Sequence, residues 1–484
     1  MAVILRTGEQ RVAVAGTKAP TPHKFTAISS AILFACLSVG TWLTFLRPNW
    51  AVFWHQIDLQ VYMWGGVAAA LHPTLLYDGR SPMGLPFLYP VFAAWICAEL
   101  ARIPIDYIGT GVVVLTLAAL WLSVWSTAVL QHRKRTATTL ALTIAVAAAA
   151  LWLEPVQQTF RFGQLSVILM AMVLIDLALP KGRWYRGILI GIATGIKLTP
   201  AVFVVYLLIT RQFKAAAVAC GAFGATVAIG LWYRPAQAWQ FWTTTMSSQN
   251  RIGFAFVQNQ SINGVFGRLQ WSSWDDNTLA FLASGVLAIA GMAAARVAYL
   301  RGDQLLGALL AAAVMLLVSP ISWTHYWVWV IPAVLWVFQA LRERPLGVRI
   351  AVPLVIYLFM FAWPMQISAT GTWESDLPLI PQGLIWWVPQ ANYREFAWTP
   401  EQFLLGNSYT LAAIGALVAA AVWLLVPRRT ATDSTSATAL PDAVAAETAG
   451  DSLIARDLTP ETVTTAAASP DRPEEEPEQL QPQP

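Results

Sequence analysis

One acidic and three basic residues lie in or beside apolar segments, where a charged side chain usually has a partner or a function. They are Asp58, Arg161, Lys197 and His325. An ionised aspartate can take a proton from a hydroxyl nucleophile, and this assistance typically raises a rate by about 10² to 10⁴. Lysine, arginine and histidine can each donate to a phosphate. The four residues therefore supply a candidate base and candidate groups for binding an anion.

Asp58 begins the segment 58–64, whose apolar positions share one face of a helix lying along the membrane surface. Position alone favours a helix cap, because aspartate is a preferred residue at the start of a helix. The alternative is a general base, ionised at neutral pH because the ordinary pKa of aspartate is about 3.9. Both roles stay open at this point.

Lys197 lies between Gly195 and Pro200, midway along an apolar segment that these two residues interrupt. A lipid phosphate, an internal carboxylate such as Glu154, or snorkelling towards water would each satisfy its charge. His325 opens a later apolar segment. It can donate to phosphate or orient a base, although a lone histidine beside aromatic residues is often a satisfied interfacial side chain.

The elements that carry these residues are predicted to be membrane-spanning helices. The chain has 484 residues, 57% hydrophobic and 12% charged, whereas a soluble domain is about a quarter charged. Its apolar runs are long enough to cross a bilayer core of roughly 30 Å. The runs are approximately 26–46, 86–101, 105–130, 138–153, 165–179, 187–209, 215–233, 278–297, 303–318, 323–340, 348–366 and 407–426. The sequence therefore predicts an all-α polytopic membrane protein with about twelve transmembrane helices.

Basic residues predict the orientation of the first span. Four of them precede it, namely Arg6, Arg11, Lys18 and Lys24. Because basic residues favour the cytoplasmic side, residues 1–25 are predicted to be cytoplasmic and the loop 47–85, with Asp58, to lie on the outer face.

Two basic clusters leave the number of crossings open. With twelve crossings, His132–Arg135 and Lys181–Arg186 lie on the outer side, against the usual preference of basic residues for the cytoplasmic side. If 86–101 and 187–209 are instead re-entrant pairs, ten crossings remain and both clusters become cytoplasmic. We favour twelve, because each run is long enough to cross alone. Both arrangements leave the N- and C-termini in the cytoplasm.

Composition divides the rest of the chain. Residues 26–427 form the membrane domain, and residues 428–484 form a tail with 11 acidic residues and 4 arginines. This tail has too few large apolar side chains to offset its chain entropy, so it is predicted to be disordered. The outer loops 234–277 and 367–406 are rich in Trp, Tyr, Asn, Gln and Pro, which favours either an interfacial aromatic belt or a sugar-binding site.

Several reaction classes are disfavoured by motifs that the sequence lacks. It has no Asp-x-Asp pair to hold a divalent ion on a nucleotide sugar and no Gly-x-x-x-x-Gly-Lys phosphate loop. Gly-x-Ser-x-Gly and His-Glu-x-x-His are absent as well. The three cysteines all lie in apolar runs and offer no paired zinc ligands. The basic balance of the membrane part suits anionic lipid and gives no reason to expect a nucleic-acid partner.

A series of short motifs occurs in order between residues 58 and 325. They are Asp58-Leu59-Gln60-Val61-Tyr62, Tyr77-Asp78, Pro86-Phe87-Leu88-Tyr89-Pro90, Gly163-Gln164, Lys197-Leu198-Thr199-Pro200, Asn259-Gln260-Ser261 with Arg268, and Ser319-Pro320-x-Ser322-Trp323-x-His325. This series resembles the polyprenol-phosphate-sugar-dependent glycosyltransferases of the GT-C superfold. Within them it is most similar to the α-1,2-mannosyltransferases of phosphatidylinositol mannoside biosynthesis.

The resemblance implies a GT-C-like helical bundle with short juxtamembrane helices and outer-face loops. The implied reaction is inverting transfer of mannose from polyprenyl-phosphate-β-mannose to a hydroxyl of a lipid-anchored mannoside, forming an α-1,2 linkage on the outer face of the bacterial plasma membrane. Asp58 would be the general base, and His325 would contact the departing phosphate. Lys197 and Arg161 would stabilise the charge of that phosphate. Further substrate contacts would come from Tyr62, Gln164, Asn259, Gln260, Arg268 and Trp323.

The resemblance also implies that no metal or other cofactor is needed, since the basic residues take over part of what a metal does elsewhere. The expected partners are the lipid-linked donor, the phosphatidylinositol mannoside acceptor and membrane lipids. Two other functions stay open, namely transfer of arabinofuranose from its own polyprenyl phosphate and transport of a lipid or sugar.

Overall fold

The computed structural model describes residues 22–46, 56–247, 253–269, 276–377 and 379–425, and these are mostly helical. The α-helices are α1 (Pro22–Leu46), α2 (Ile57–Leu71), α3 (Leu75–Asp78), α4 (Val91–Leu100), α5 (Ile105–Leu130), α6 (Ala137–Ala150), α7 (Glu154–Phe162), α8 (Ser166–Ala178), α9 (Ile188–Ile196), α10 (Ala201–Ile209), α11 (Phe213–Tyr233), α12 (Pro235–Gln240), α13 (Ile262–Leu269), α14 (Asp276–Leu300), α15 (Gln304–Val318), α16 (Val330–Ala340), α17 (Leu346–Phe359), α18 (Pro400–Gly406) and α19 (Ser408–Leu425). Shorter helical turns lie at Phe241–Thr245, Thr324–Trp329, Leu384–Trp387 and Arg394–Ala397. The predicted tail 428–484 and the first 21 residues lie outside the described ranges.

These helices form a multi-pass membrane protein. Among the described residues, α1, α5, α11, α14 and α19 are long and apolar enough to cross a membrane, and the bent pair α7–α8 is a sixth candidate. The predicted count of twelve spans is not confirmed. Some predicted runs are shorter helices or are divided by helix breakers, as where Pro200 separates α9 from α10. The largest core cluster joins α5, α8, α10 and α15 through buried residues that include Leu120, Leu174, Phe203 and Leu317.

The start of α9 and the end of α10 lie together at one end of the bundle. Arg186, just before α9, donates to Gln212 Oε1, just after α10, at 2.9 Å. Arg296, in α14, donates to the carbonyl oxygen of Ile209 at the end of α10. The pair α9–α10 therefore has the geometry of the re-entrant alternative and not of the single crossing that the sequence favours for 187–209.

The starts of α2 and α5 and the end of α7 meet elsewhere in the bundle. The backbone N–H of Gln56, before α2, donates to the carbonyl oxygen of Arg161 at 3.0 Å. The side-chain amide of Gln56 donates to the carbonyl oxygen of Gly109, in the second turn of α5, at 3.5 Å. Helix α4 packs along α2 between these two points. The stretch between Gln56 and Gly109 thus returns to the end where it started, and within it the predicted run 86–101 holds one helix of 10 residues, α4, and not a pair of half-helices.

A small sheet departs from the all-α prediction. Strands β1 (Trp363–Met365) and β2 (Ile380–Gln382) pair in antiparallel register, with Pro364 opposite Pro381. Proline disfavours helix in this segment, and the pairing satisfies backbone groups that a helix would otherwise bond internally. Strand β1 lies within the predicted span 348–366, which is therefore helical only as far as Phe359, whereas β2 lies in the predicted outer loop 367–406.

Candidate active site

A chain of hydrogen bonds joins Asp58 to two tyrosines. Gln164 Nε2 donates to Asp58 Oδ2 at 2.6 Å, and the hydroxyl of Tyr62 donates to Gln164 Oε1 at 2.7 Å. The Tyr62 and Tyr89 hydroxyl oxygens are 2.9 Å apart. Since Tyr62 lies one turn after Asp58 on α2, the helix presents both side chains to Gln164. Three residues predicted for the site, Asp58, Tyr62 and Gln164, are therefore in direct contact.

Gly163 fixes the approach of Gln164 to Asp58. It ends α7 with φ of 67°, a left-handed conformation that favours glycine. A Cβ at this position would lie 2.7 Å from Leu59 Cβ and 3.1 Å from Gln56 Cβ. Only glycine lets the turn between α7 and α8 pack this closely against the start of α2.

Asp58 does not cap its helix. Gln56 occupies the capping position of α2, and no side chain there bonds the first turn. Asp58 is half-buried and accepts its hydrogen bond from Gln164. Burial raises the pKa of Asp58 to about 6, against the opposing effects of the Gln164 hydrogen bond and the positive charge of Lys197. The carboxylate is therefore ionised at neutral pH and can still take up a proton.

Lys197 is placed by the break between α9 and α10. Lys197 directly follows the last residue of α9 with an extended backbone, φ of −146°, and Pro200 directly precedes α10. Its ammonium nitrogen lies 3.7 Å from the ring centroid of Tyr326 and 5.5 Å from that of Tyr89. Within the described ranges Nζ has no hydrogen-bond partner, although Lys197 is only 8% exposed. A buried ammonium group in this state is well suited to receive an anion.

His325 lies on the turn Thr324–Trp329, beside Lys197. Its ring packs edge-on against Phe162, with centroids 5.8 Å apart, and against Tyr326, with centroids 4.7 Å apart. It is 2% exposed, and neither ring nitrogen has a hydrogen-bond partner among the described residues. The aromatic packing agrees with an interfacial histidine, but two unpaired buried nitrogens also leave His325 free to bind a ligand.

Arg161 lies at the end of α7, one residue from Phe162. Its guanidinium carbon is 5.8 Å from the Phe162 ring centroid, and its carbonyl oxygen accepts from Gln56. Arg161 therefore borders the Asp58 site through its backbone and through the ring that contacts His325.

Four other predicted site residues form a separate buried group. Asn259 and Trp323 pair as an isolated antiparallel bridge, and Asn259 Oδ1 accepts from the Ser322 backbone N–H at 2.9 Å. Gln260 donates to the carbonyl oxygen of Gly406 at 2.6 Å. Arg268 donates through Nε to Asn407 Oδ1 at 3.0 Å and through Nη2 to the carbonyl oxygen of Asn259 at 3.0 Å. Their hydrogen bonds link the segment 259–268 to the junction of α18 and α19, and their contact with substrate stays a prediction.

Two aromatic residues in the site were absent from the predicted set. Tyr89 and Tyr326 flank Lys197. Tyr89 lies within the motif 86–90, and Tyr326 directly follows the motif 319–325. Adjacency to a motif is the signal that could have found them. Glu154, which the sequence offers as a partner for Lys197, instead accepts from Trp386 Nε1 and from the Tyr409 hydroxyl, each at 3.2 Å.

A narrow, mostly apolar cleft of about 30 Å³ extends from Lys197 between α8, α10 and α15. Its walls include Met170, Phe203, Met315 and Trp329, and Tyr326 lies at the same end as Lys197. The lining matches the chemistry of a ligand with an anionic end and an apolar chain. Within the described part of the chain, no group of three or more His, Cys, Asp or Glu side chains has the arrangement of a metal site.

Known proteins with similar sequences fall in one enzyme family. The model of glycosyltransferase family 87 matches residues 87–320. No solved structure matches the chain.

Two relatives from Mycobacterium tuberculosis and one from Mycolicibacterium smegmatis are similar over most of their length. One, a polyprenol-phosphate-mannose-dependent alpha-(1-2)-phosphatidylinositol mannoside mannosyltransferase of M. tuberculosis, is 32% identical over 70% of this chain and 84% of its own. A second from that species, named for phosphatidylinositol pentamannoside, is 33% identical over 83% of this chain and 90% of its own. The M. smegmatis pentamannoside enzyme is 31% identical over 74% of this chain and 88% of its own.

Proposed function

The chain belongs to glycosyltransferase family 87, and from this membership and the Asp58 site we propose that it transfers mannose from polyprenyl-phosphate-β-mannose to a hydroxyl of a phosphatidylinositol mannoside. The product linkage is α-1,2, with inversion at the anomeric carbon. The observation that carries the proposal is the position of a half-buried carboxylate, Asp58, close to Lys197 and His325, whose buried side-chain nitrogens have no hydrogen-bond partner within the described ranges.

Asp58 acts as the general base in this proposal. It takes the proton of the acceptor hydroxyl as that oxygen bonds to the anomeric carbon of mannose. The bond from this carbon to the phosphate oxygen breaks, and its electron pair leaves with the polyprenyl phosphate. Gln164 fixes the Asp58 carboxylate through Oδ2, so Oδ1 is the oxygen available to the acceptor. Inversion follows because attack and departure take place on opposite faces of the sugar.

Lys197 and His325 bind the departing phosphate. A positive charge that is already buried and unpaired needs little solvent rearrangement as the leaving group gains charge. The cleft that begins at Lys197 takes the first part of the prenyl chain. With Lys197 and His325 at the phosphate, we propose that the reaction runs without a metal ion, so transfer should persist in EDTA.

The decisive test measures covalent transfer by the purified wild-type protein. Labelled polyprenyl-phosphate-mannose is incubated with phosphatidylinositol tetramannoside in EDTA, and the lipid product is recovered. The proposal expects labelled mannose on the acceptor. Activity only with the arabinose donor would replace mannose by arabinose, and movement of lipid without covalent transfer would indicate a transporter.

The pH dependence of kcat/KM should have an acid limb. Burial raises the pKa of Asp58 to about 6, and a base is active only when it is deprotonated. The rate is therefore expected to rise between pH 5 and 7 and to fall about tenfold per pH unit well below 6. Initial rates between pH 4.5 and 8 at low acceptor concentration measure this limb. A flat profile down to pH 5 would rule out Asp58 as the titrating base.

Replacing Gly163 by alanine should disturb the site through the backbone. Left-handed φ costs a non-glycine residue about 1–2 kcal/mol, and the added Cβ would also press on Leu59 and Gln56. We expect a lower Tm and at least a tenfold lower kcat. Gly84→Ala is the matched control, because Gly84 has φ of 75° but nothing within 4 Å of the added Cβ. Equal kcat losses in the two variants would contradict a role for the Gly163 contact.

We propose ten membrane crossings, with the site on the outer face and both termini in the cytoplasm. The contacts that support this number are those that bring together the two ends of α9–α10 and the starts of α2 and α5. The clusters His132–Arg135 and Lys181–Arg186 then face the cytoplasm with Arg342 and Arg344, as basic residues prefer.

Cysteine labelling tests this topology. In a variant without the native cysteines, His132→Cys and Arg183→Cys are expected to resist a membrane-impermeant maleimide applied to intact cells and to react after permeabilisation. Tyr393→Cys, at a 79% exposed position of the outer loop, should react in intact cells. Reaction of both test positions in intact cells would support twelve crossings.

A further inference from the structure

A second apolar groove lies between α1, α5 and α6, apart from the cleft at Lys197. Its volume is about 590 Å³, within the size range of small-molecule sites. The walls include Cys36, Gly40 and Leu43 of α1, Leu120 of α5, and Ala147 and Leu151 at α6 and its end. Helices α1 and α5 are both long and apolar enough to cross a membrane, so the groove opens towards lipid.

Most polar groups beside this groove already have partners, whereas Trp42 Nε1 has none within the described ranges. Trp152 Nε1 donates to Ser38 Oγ at 3.1 Å, and Ser38 Oγ donates to the Ala148 carbonyl oxygen at 3.0 Å. Trp121 Nε1 donates to Thr143 Oγ1 at 3.3 Å. With no charged residue in its walls, the groove fits a hydrocarbon chain and offers no place for a phosphate.

One end of the groove leads to the active site. Trp42, next to the groove residue Leu43, packs against Phe160 of α7 with ring centroids 5.4 Å apart. Phe160 is followed by Arg161 and Phe162, which border Asp58 and His325. A chain lying in the groove would therefore carry its polar head towards Asp58.

We propose that this groove binds an acyl chain of the lipid acceptor, an inference that rests on the proposed function. The prenyl chain of the donor is assigned to the other cleft, because its phosphate must reach Lys197. The acceptor is the remaining lipid substrate, and the uncharged groove matches its acyl chains. The protein thus holds its two lipid substrates on opposite sides of the reacting sugar.

Photo-crosslinking tests the site without relying on catalysis. The probe is a phosphatidylinositol mannoside with a diazirine in the middle of one acyl chain, applied to the full-length protein in nanodiscs. We expect crosslinks in α1 and α6 that excess unlabelled phosphatidylinositol mannoside removes, while polyprenyl phosphate and phosphatidylglycerol do not. Competition by polyprenyl phosphate, or equal competition by phosphatidylglycerol, would overturn the assignment. So would crosslinks spread evenly over α11.

A groove-filling variant tests the same site through kinetics. A Cβ at Gly40 meets nothing within 4 Å, so Gly40→Phe places its ring in the groove without a backbone clash. The ring should displace a few methylene groups of the acyl chain from the groove. Because these groups lose their burial, the KM of the diacyl acceptor should rise by about tenfold or more. The KM values of the donor and of a deacylated, water-soluble mannoside acceptor should be unchanged.

The matched control is Gly224→Phe on α11, where an added Cβ also meets nothing within 4 Å. Equal KM changes for diacyl and deacylated acceptors, or no change for either, would reject the acyl-chain site. If the wild type transfers no mannose, the proposed function fails, while the crosslinking result still decides whether the groove binds acyl chains.

Discussion

Asp58→Asn is expected to lower kcat for mannosyl transfer by about 10² to 10⁴, the usual contribution of a general base. Asparagine has nearly the same shape as aspartate, and its carbonyl oxygen can still accept the hydrogen bond from Gln164. The variant should therefore fold and bind both lipids, with KM values close to those of the wild type. What it lacks is the ability to take the acceptor proton. Single-turnover rates at saturating donor and acceptor measure this loss.

Asp78→Asn is the control for the Asp58 variant. Asp78 lies in the same predicted outer loop, is exposed, and accepts a hydrogen bond from Gln240 at 2.8 Å. Because it lies outside the Asp58 hydrogen-bond chain, its substitution should leave kcat within about twofold of wild type, as surface changes usually do. If Asp58→Asn, folded by thermal shift, also kept a near-wild-type rate, the general-base mechanism would have to be abandoned.

Lys197→Met should lower the use of the donor without lowering the stability of the protein. Loss of a buried charge that would face the donor phosphate is expected to lower kcat/KM for the donor by about a hundredfold, within the range for breaking a buried charge pair. The apo protein should be as stable as wild type or more stable, since the variant removes an unpaired buried ammonium group. The acid limb of the pH profile should also move to higher pH, because the Lys197 charge holds the Asp58 pKa down. Donor titrations and thermal unfolding measure the first two effects.

Lys181→Met provides the comparison for Lys197. Lys181 also lies over an aromatic ring, with Nζ 4.7 Å from the Tyr299 centroid. It is exposed, however, and lies before the start of α9 and not at the break between α9 and α10. Its substitution should leave donor kinetics unchanged. A fall in Tm with normal donor KM for Lys197→Met would mean that Lys197 is a packing residue held by its aromatic neighbours.

Local chemistry made much of the site predictable. Gly163 and Pro200 could be recognised from sequence as helix breakers, and each places a site residue, Gln164 or Lys197, at an interruption. The motif series also contained Asp58 and Tyr62, which lie one turn apart on α2. These are short-range relations, in which residue type and spacing fix the geometry.

Long-range pairing could not be obtained in this way. Arg268 and Asn407 are 139 positions apart, and their hydrogen bond links α13 to the junction of α18 and α19, a contact that no motif predicts. Glu154 was similarly available to several partners until the fold brought Trp386 and Tyr409 to it. A buried polar group bonds whichever partner the packing supplies, and sequence distance does not identify that partner.

The helical membrane architecture follows from residue types alone, because long apolar runs with few charges are stable only as helices in lipid. The sequence motifs also identified the glycosyltransferase family and a set of candidate residues. The return of α9 and α10 to the same end, and the proximity of Asp58 to Gln164 and Lys197, became visible only in the folded protein. Run length is compatible with either a crossing or a re-entrant pair, so the choice depends on contacts such as that between Arg186 and Gln212.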